Sequence, residues 1–432
     1  MSDVDISVAP VHIVRRGETP SRSREYRYGL GLTSQFYFCG LPLRLDTYSK
    51  CAFRCSYCFA HARGGAHRDI DASVYSGSRL ARRFDRILEG HGNGVLDELL
   101  ANGQPIHFGG MSDPFSALER RYGASLAALK VLAKHRHPTI ISTKSDMLVE
   151  EKYLQVLKQG RFIVQVSLSS MDAALIDKVD RGAPGPVRLM KMLRILRAEG
   201  IPTSCRIQPL LPTLEGHARD VIAACADAGV GHVAVEHLKL GIEKGWPGTK
   251  ELAGVLKLDL FDYFERRGAQ RVGREWVLGA DARVETVLNL RSTARSHGMT
   301  FGAADTDLLL LSDGGCCCSG ADLVPGFENY FKFNFLEAAR QGLSSGRMTI
   351  DGLAEQWVPA GSIAEHVNSH SRLPKADGVG ASIRHYIDDA WNGAPNGAQP
   401  TALHGVADRG EMDADGFKVY EISDEWRRLT TS

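Results

Sequence analysis

The stretch KCAFRCSYCF (Lys50 to Phe59) places three cysteines within eight residues, in the spacing C-x3-C-x2-C. Zinc sites usually take four protein ligands, often as two close pairs, and an iron–sulfur cluster held by protein alone takes four cysteines. Three thiolates at Cys51, Cys55 and Cys58 would leave one iron of a cubane cluster open to a non-protein ligand. The spacing therefore favours such a cluster, with zinc or inert thiols as the alternative.

The composition places these thiols in a reducing compartment. The chain has 432 residues, 43% of them apolar, and a formal net charge of +1, so no bulk electrostatic field drives it to nucleic acid or membrane. No run of 18 apolar residues and no secretory leader is visible, which predicts a cytoplasmic protein without a membrane partner. Nine cysteines that cluster at short spacing in such a chain favour metal binding over disulfides.

A repeating strand–helix pattern between residues 41 and 240 predicts an α/β fold with a parallel sheet. Strands are expected at 41–49, 105–114, 138–145, 161–170, 201–212 and 230–240. Polar residues recur with period two on one face of three of these strands: Ser142 and Lys144; Gln165, Ser167 and Ser169; Ser204, Arg206 and Gln208. This alternation fits a barrel with a polar lumen better than a filled apolar core.

The segment CAFRCSYC, with an aromatic residue before its last cysteine, resembles the signature of radical S-adenosylmethionine enzymes. The resemblance implies a [4Fe–4S] cluster on the three cysteines, with S-adenosylmethionine (AdoMet) on the fourth iron, inside a partial (β/α)6 barrel. One electron would cleave AdoMet to methionine and a 5′-deoxyadenosyl radical that abstracts hydrogen from a substrate. A reducing electron-transfer protein of the flavodoxin or ferredoxin type is therefore expected as a partner.

Nine residues are expected to bind AdoMet: Tyr57, Gly109, Gly110, Met111, Ser142, Lys144, Ser167, Ser169 and Arg206. The resemblance implies that the glycine-rich GGMSDP segment meets the methionine amino group, since glycine permits close backbone approach; a plain turn is the alternative. The lysine and the arginine suit a carboxylate or a substrate anion, unless the lysine snorkels from the rim. Ser142, together with the lysine, suits the same carboxylate or anion. Ser167 and Ser169 suit the ribose hydroxyls or fill the lumen, and the tyrosine suits the adenine or ordinary packing.

The segments GGMSDPF, ISTKS, VSLSS, DRGAPGPVRL and GIPTSCRIQPLLP resemble the spore photoproduct lyase-like group, often called DNA repair photolyases, over about residues 40–240. The resemblance implies repair or modification of a nucleic-acid base. That group returns a hydrogen atom from a cysteine near the second strand, whereas this chain has no cysteine between Cys58 and Cys205. Tyr122 is the nearest residue able to give a hydrogen atom.

A second cysteine cluster, SDGGCCCSGAD (312–322), places Cys316, Cys317 and Cys318 in a glycine-rich loop. We favour a thiol loop at the active site that supplies the missing hydrogen atom. The alternative is an auxiliary iron–sulfur cluster or zinc site completed by Cys39 or another ligand, which would suit an enzyme that modifies a peptide or small metabolite. A non-catalytic iron–sulfur sensor that binds DNA is a third possibility.

Four regions are expected along the chain: a basic arm (1–40), the barrel (41–240), a mostly helical extension with the cysteine loop (241–377), and a flexible linker with a capping tail (378–432). The helix RLARRFDRIL (79–88) carries four arginines at helical spacing: Arg79, Arg82, Arg83 and Arg86. This stripe and the arginines of the arm suit a phosphate backbone, unless they form an ordinary solvated face. Cys205 and Cys225 are expected in the core.

Overall fold

The computed structural model describes residues 25–61, 72–364, 366–367, 381–393 and 398–431. Most of the predicted basic arm lies outside these residues, as do Arg63 and Arg68. The fold combines one large sheet, three small sheets and flanking helices.

The strands are β1 (Leu30–Leu32), β2 (Leu43–Leu45), β3 (Arg54–Cys55), β4 (Ile106–Phe108), β5 (Thr139–Thr143), β6 (Phe162–Ser167), β7 (Asp180–Arg181), β8 (Thr203–Leu210), β9 (His232–His237), β10 (Leu240–Gly241), β11 (Gln270–Val272), β12 (Glu275–Val277), β13 (Thr300–Ala303), β14 (Arg347–Met348), β15 (Val406–Met412) and β16 (Lys418–Ile422).

The α-helices are α1 (Gly77–Leu88), α2 (Val95–Ala101), α3 (Ala117–Tyr122), α4 (Ala124–Lys134), α5 (Glu151–Gln159), α6 (Ala173–Val179), α7 (Pro186–Ala198), α8 (Glu215–Asp227), α9 (Pro247–Leu256), α10 (Leu260–Glu265), α11 (Asp281–Ser296), α12 (Phe335–Gly342), α13 (Ile383–Trp391) and α14 (Asp424–Thr431).

Eight strands form the large sheet in the order β1-β2-β4-β5-β6-β8-β9-β13. All neighbours from β2 to β13 pair in parallel, and only β1 is antiparallel to β2. The six strands predicted from the sequence are β2, β4, β5, β6, β8 and β9, so the α/β fold class with a parallel sheet is confirmed. Apolar side chains from this sheet and its helices make up the core.

Local sequence explains the helices that separate these strands, as α7 shows. Pro186 occupies the first turn of α7, where its missing N–H is not needed for helix bonding. Leu189, Met190 and Leu193 recur at helical spacing and are buried. Gly200, with φ of +73°, follows the helix and turns the chain toward β8.

The sheet crosses both predicted boundaries of the barrel. Strand β1 lies in the region expected to be a basic arm, and β13 lies in the region expected to be an extension. Side chains from the carboxyl ends of the parallel strands line one common cavity, which requires the sheet to curve around it. Within the described residues β1 and β13 pair with no further strand of this sheet, so the barrel is open at that side.

The prediction of a flexible linker before the tail is wrong for residues 383–391 and 406–412, which form α13 and β15. Trp391 at the end of α13 is completely buried, and its Nε1 donates to the Lys418 carbonyl at 2.8 Å. Strand β16 and helix α14 fold back as expected, and β16 pairs with both β14 and β15. Buried large apolar side chains, such as that of Trp391, hold this region in a fixed structure although its sequence is rich in glycine. Among the described residues no helix has the length and hydropathy needed to span a bilayer.

Candidate active site

The three predicted metal ligands line a cavity of about 270 Å³ at the carboxyl ends of the parallel strands. Their loop follows β2 and is pinned at Cys55, because β3 pairs antiparallel with β7 and sets Cys55 opposite Asp180. The Cys58 backbone N–H donates to the Cys55 carbonyl at 3.2 Å, which closes a tight turn between these two ligands. All three cysteines are half-buried and free of disulfides.

The electrostatics of the loop favour neutral thiols until a cation binds. Burial, followed by the Asp113 carboxylate, raises the pKa of Cys51 to about 12. Burial and Asp180 likewise raise the pKa of Cys55 well above its ordinary value. Ligands must be deprotonated to bind metal, so a positively charged centre is needed to hold these sulfurs as thiolates.

The three cysteines present a donor set that fits an iron–sulfur cluster. All three line one cavity. A cubane cluster takes each thiolate on a different iron and leaves its fourth iron to a further ligand. Within the part of the chain that the structure describes, no three His, Cys, Asp or Glu side chains form a group that could hold one metal ion.

The glycine-rich segment after β4 is shaped by the protein's own packing. Gly109 has φ of +93°, and a Cβ there would lie 2.5 Å from the Ser142 carbonyl oxygen. A Cβ on Gly110 would lie 2.9 Å from Nη1 of Arg44. Gly109 therefore requires glycine with or without a ligand, whereas a Cβ on Gly110 would only displace the end of the flexible Arg44 side chain. The predicted contact with the AdoMet amino group stays a prediction.

Two carboxylates hold this segment in place. Asp46 Oδ1 accepts the backbone N–H of Met111 at 2.8 Å and that of Ser112 at 3.2 Å. Asp113 accepts the Lys144 backbone N–H at 2.6 Å and the Thr143 hydroxyl at 2.9 Å. The segment after β4 is thus fastened to the ends of both β2 and β5.

Lys144 points into the structure and does not snorkel from the rim. Its Nζ contacts Asp180 Oδ2 at 3.2 Å, the Ser167 hydroxyl at 3.1 Å and the Tyr57 hydroxyl at 2.9 Å. The Tyr57 hydroxyl also donates to Asp180. Burial alone would lower the pKa of Lys144, but Asp180 and Cys55 outweigh burial and raise it. Three predicted AdoMet residues therefore form one ionic network that ties the cysteine loop to the sheet.

A chain of hydrogen bonds crosses five strands beneath the cavity. It runs from His107 Nε2 to the Ser142 hydroxyl at 2.8 Å, on to Gln165 at 3.3 Å, then to Ser204 at 3.2 Å and His232 Nδ1 at 2.8 Å. Parallel register places these residues side by side on successive strands. Burial lowers the pKa of His107 well below its ordinary value and that of His232 to about 4, so both ends are neutral.

The far wall of the cavity carries charged groups that the sequence did not reveal. Glu236 accepts from Arg206 at 3.1 Å and also bonds Lys239 and Gln208. The next residue, His237, holds Asp305 Oδ2 with its Nδ1 at 2.7 Å.

Asp305 keeps its negative charge although it is buried. Burial raises the pKa of Asp305, but His237, Arg283 and Lys239 lower it more, and the net result is well below the ordinary range. His237 Nδ1 lies against this carboxylate, and His237 also lines the cavity.

The second cysteine cluster divides between cavity and core. Cys318 lines the cavity beside the cysteine loop, and so does Cys39. Cys316 is completely buried, and a Cβ on Gly40 would lie 3.1 Å from its Sγ. The side chain of Cys317 lies outside the described part. The Cys318 carbonyl accepts from Gln165 Nε2 at 3.5 Å, which connects this loop to the hydrogen-bond chain.

The structure brings most of the predicted site residues together. Those that line the cavity are Cys51, Cys55, Tyr57, Cys58, Gly109, Gly110, Met111, Ser142, Lys144, Ser167, Arg206 and Cys318. Ser169 is buried outside the lining. Tyr122 also lies outside it and packs against Tyr48, with ring centroids 6.3 Å apart. Cys205 and Cys225 are buried in the core, as expected.

The chain is similar to known proteins over only part of its length. No family model matches the chain. Uncharacterized protein Rv2578c of Mycobacterium tuberculosis and uncharacterized protein Mb2609c of Mycobacterium bovis are each 27% identical to it over 220 residues. That match covers 48% of this chain and 62% of each relative, so the chain spans less than two thirds of the relatives' length.

Among solved structures, the chain is similar to a spore photoproduct lyase variant with bound AdoMet and dinucleoside spore photoproduct. The TM-score is 0.46 and the identity 13%, over 63% of this chain and 80% of that one. It is also similar to Streptococcus suis SuiB bound to precursor peptide SuiA, with a TM-score of 0.35 and 17% identity over 55% and 49% of the two chains.

Proposed function

We propose that this protein is a radical AdoMet enzyme. The observation that carries the proposal is the placement of Cys51, Cys55 and Cys58 on one cavity that the carboxyl ends of the parallel strands surround. Three thiols that face a common volume, without converging on one point, match the needs of a cubane cluster with an open iron. When bound, a [4Fe–4S] cluster supplies the electron that cleaves AdoMet to methionine and a 5′-deoxyadenosyl radical.

In this proposal the chain's own residues bind AdoMet and exclude water. The backbone of Gly109, Gly110 and Met111 borders the cavity at the cysteine loop and offers polar groups to the methionine end. Ser142 and Arg206 offer a hydroxyl and a guanidinium farther along the same cavity. The network around Lys144 fixes the ring of Tyr57 and the hydroxyl of Ser167, so that the pocket is rigid before the cosubstrate arrives.

A nucleic-acid base is the proposed substrate, for repair or modification. The same cavity is lined by acceptors at Glu236 and His237 and by donors at Arg206 and Lys239. The edge of a base carries donors and acceptors in alternation, and such a mixed wall can match them. A base in a strand would have to be flipped out to reach this depth.

Cys318 is the proposed hydrogen-atom donor in place of the cysteine that the lyase-like group carries elsewhere. Its side chain lines the cavity with the metal ligands, whereas Cys316 is buried away from it. Transfer of the hydrogen would break the Cys318 S–H bond and form a C–H bond on the substrate radical, leaving the unpaired electron on sulfur. Cys39, on the same cavity, is a second thiol able to take part.

Iron content and product formation test the proposal together. Anaerobically reconstituted protein should carry about four irons and four sulfides per chain, and reduction in the presence of AdoMet should yield 5′-deoxyadenosine. The triple replacement of Cys51, Cys55 and Cys58 by alanine should abolish both, whereas Cys225→Ala, a control in the core, should retain them. A colourless zinc-bound protein would refute the proposal.

The same measurements separate the other functions considered. About eight irons per chain would favour an auxiliary cluster at the 316–318 loop and a peptide or small-metabolite substrate. A four-iron protein that never forms 5′-deoxyadenosine would favour a sensor. Transfer of deuterium from labelled nucleic acid, peptide or metabolite into 5′-deoxyadenosine identifies the substrate class.

A further inference from the structure

Five arginines surround a second cavity, of about 510 Å³, on the outside of helix α1. They are Arg27, Arg79, Arg82, Arg83 and Arg86, and we call them the arginine surface. None of them lines the cavity that holds the cysteine loop. The four helical arginines follow one stripe because their spacing of three and four residues returns to the same side of an α-helix. The stripe is about 10 Å long at 1.5 Å per residue.

The arginine surface is only partly neutralised. Glu25 pairs with Arg79 at 3.2 Å, and Asp97 pairs with both Arg83 and Arg86. Among the residues that the structure describes, five guanidinium groups thus face two carboxylates, which leaves an excess of three positive charges. Arg27 and Arg82 are exposed, and neither has an ion-pair partner among residues that the structure describes. Like charges repel, so this arrangement is stabilised by an anionic partner.

A short series of backbone contacts connects the arginine surface to the cysteine loop. The N–H of Tyr26, beside Arg27, donates to the Val74 carbonyl at 2.9 Å. The residues on either side of Val74 bond the segment that leads into the loop: Tyr75 N–H to the Thr47 carbonyl at 2.9 Å, and Ser49 N–H to the Ser73 carbonyl at 3.0 Å. Ser49 precedes Cys51 by two residues. The surface is therefore connected through the backbone to the segment that leads into the cysteine loop.

We propose that the arginine surface is the docking site for an acidic electron-transfer protein that reduces this enzyme. The proposal rests on the proposed function, since a radical AdoMet enzyme needs one electron from outside for each cleavage. The donor protein, a flavin or iron–sulfur carrier, loses one electron and the enzyme gains it, with no bond formed between them. An excess of positive charge beside the acceptor steers a negatively charged partner and fixes its orientation.

The placement favours a protein over a nucleic acid at this surface. A strand whose base is flipped into the active-site cavity must lie across the mouth of that cavity, at the carboxyl ends of the strands. The arginine surface instead runs down the outside of α1 and shares no residue with that cavity. An electron donor has the opposite requirement, because it must approach the cluster from outside while the cavity holds AdoMet and substrate.

Binding of oxidised flavodoxin, an acidic flavin carrier, tests the docking site without turnover. The test variant is Arg27→Glu with Arg82→Glu, and the control is Lys191→Glu with Arg194→Glu on the exposed side of α7. Both variants change the net charge by the same amount. We expect the test variant to bind about tenfold more weakly at about 50 mM salt, and the control to stay within about twofold of the natural protein.

Electron delivery gives a second readout. With reduced flavodoxin as donor, the test variant should form 5′-deoxyadenosine about tenfold more slowly at subsaturating donor, but at the normal rate with photoreduced deazaflavin. Equal losses in the test and control variants would overturn the docking site. So would a loss of affinity for a fluorescein-labelled single-stranded oligonucleotide with unchanged flavodoxin binding. Absence of 5′-deoxyadenosine with both reductants, in the natural protein, would instead refute the proposed function.

Discussion

Replacement of Asp180 by asparagine should destabilise the protein by about 3 kcal/mol, because it leaves the Lys144 ammonium buried without its counter-ion. The two side chains are 13% and 3% exposed, and their charged atoms lie 3.2 Å apart. Removal of one partner from such a pair usually costs 3–5 kcal/mol, and asparagine keeps part of the hydrogen bonding. Lys144→Met should cost a similar amount, since Asp180 then loses its cation.

The double variant Lys144→Met with Asp180→Leu should recover most of this loss, to within about 1 kcal/mol of the natural protein, because no unpaired charge remains. The assay is anaerobic urea unfolding followed by circular dichroism. Arg181→Ala serves as a control, since its pair with Glu251 is largely exposed and should contribute less than about 1 kcal/mol. If Asp180→Asn cost no more than the control, the network would not hold the loop as we describe.

Three further predictions follow from buried groups. Burial lowers the pKa of His137 to about 4, so on acidification the unfolded chain binds a proton at this histidine before the folded chain does. Urea unfolding should therefore show a loss of up to about 3 kcal/mol of stability between pH 6.5 and 4. The variant His137→Gln should lack this pH-dependent loss. Gly109→Ala should cost about 2 kcal/mol in thermal unfolding, whereas Gly231→Ala, where a Cβ meets open space, should be nearly neutral. Gln165→Leu should cost about 2 kcal/mol and weaken AdoMet binding by calorimetry, and unchanged values would contradict a supporting role for the hydrogen-bond chain.

The fold of residues 41–240 could be predicted because each strand and helix carries its own periodicity. Polar residues that alternate along β5, β6 and β8 correctly indicated that these strands turn a polar side toward a common cavity. Strand β1 was missed because Leu30–Leu32 is too short to show a period. Strand β13 was not expected in this sheet, since its pairing with β9 joins segments far apart in the chain.

Sequence reasoning found the cysteines and the cavity-facing polar residues, but not their partners. Lys144 was predicted to bind AdoMet, and the structure adds a partner that the sequence did not indicate, because Asp180 of β7 pairs with it from 36 positions away. His237 and Asp305 form their contact across 68 residues, and no local pattern indicates it. Charges that balance each other over such distances are set by tertiary structure alone.

Because β3 pairs with β7, the cysteine loop cannot reach its final structure until the ribosome has synthesised β7. Tyr57 and Asp180 are 123 positions apart, so the ribosome needs roughly 6 to 25 seconds between making the thiols and making the segment that anchors them. During that interval the nascent cysteines lack both the pairing of β3 with β7 and the surrounding cavity. In the proposed enzyme, cluster insertion would therefore follow synthesis of α6 and β7, and oxidants would have their best access to these sulfurs before it.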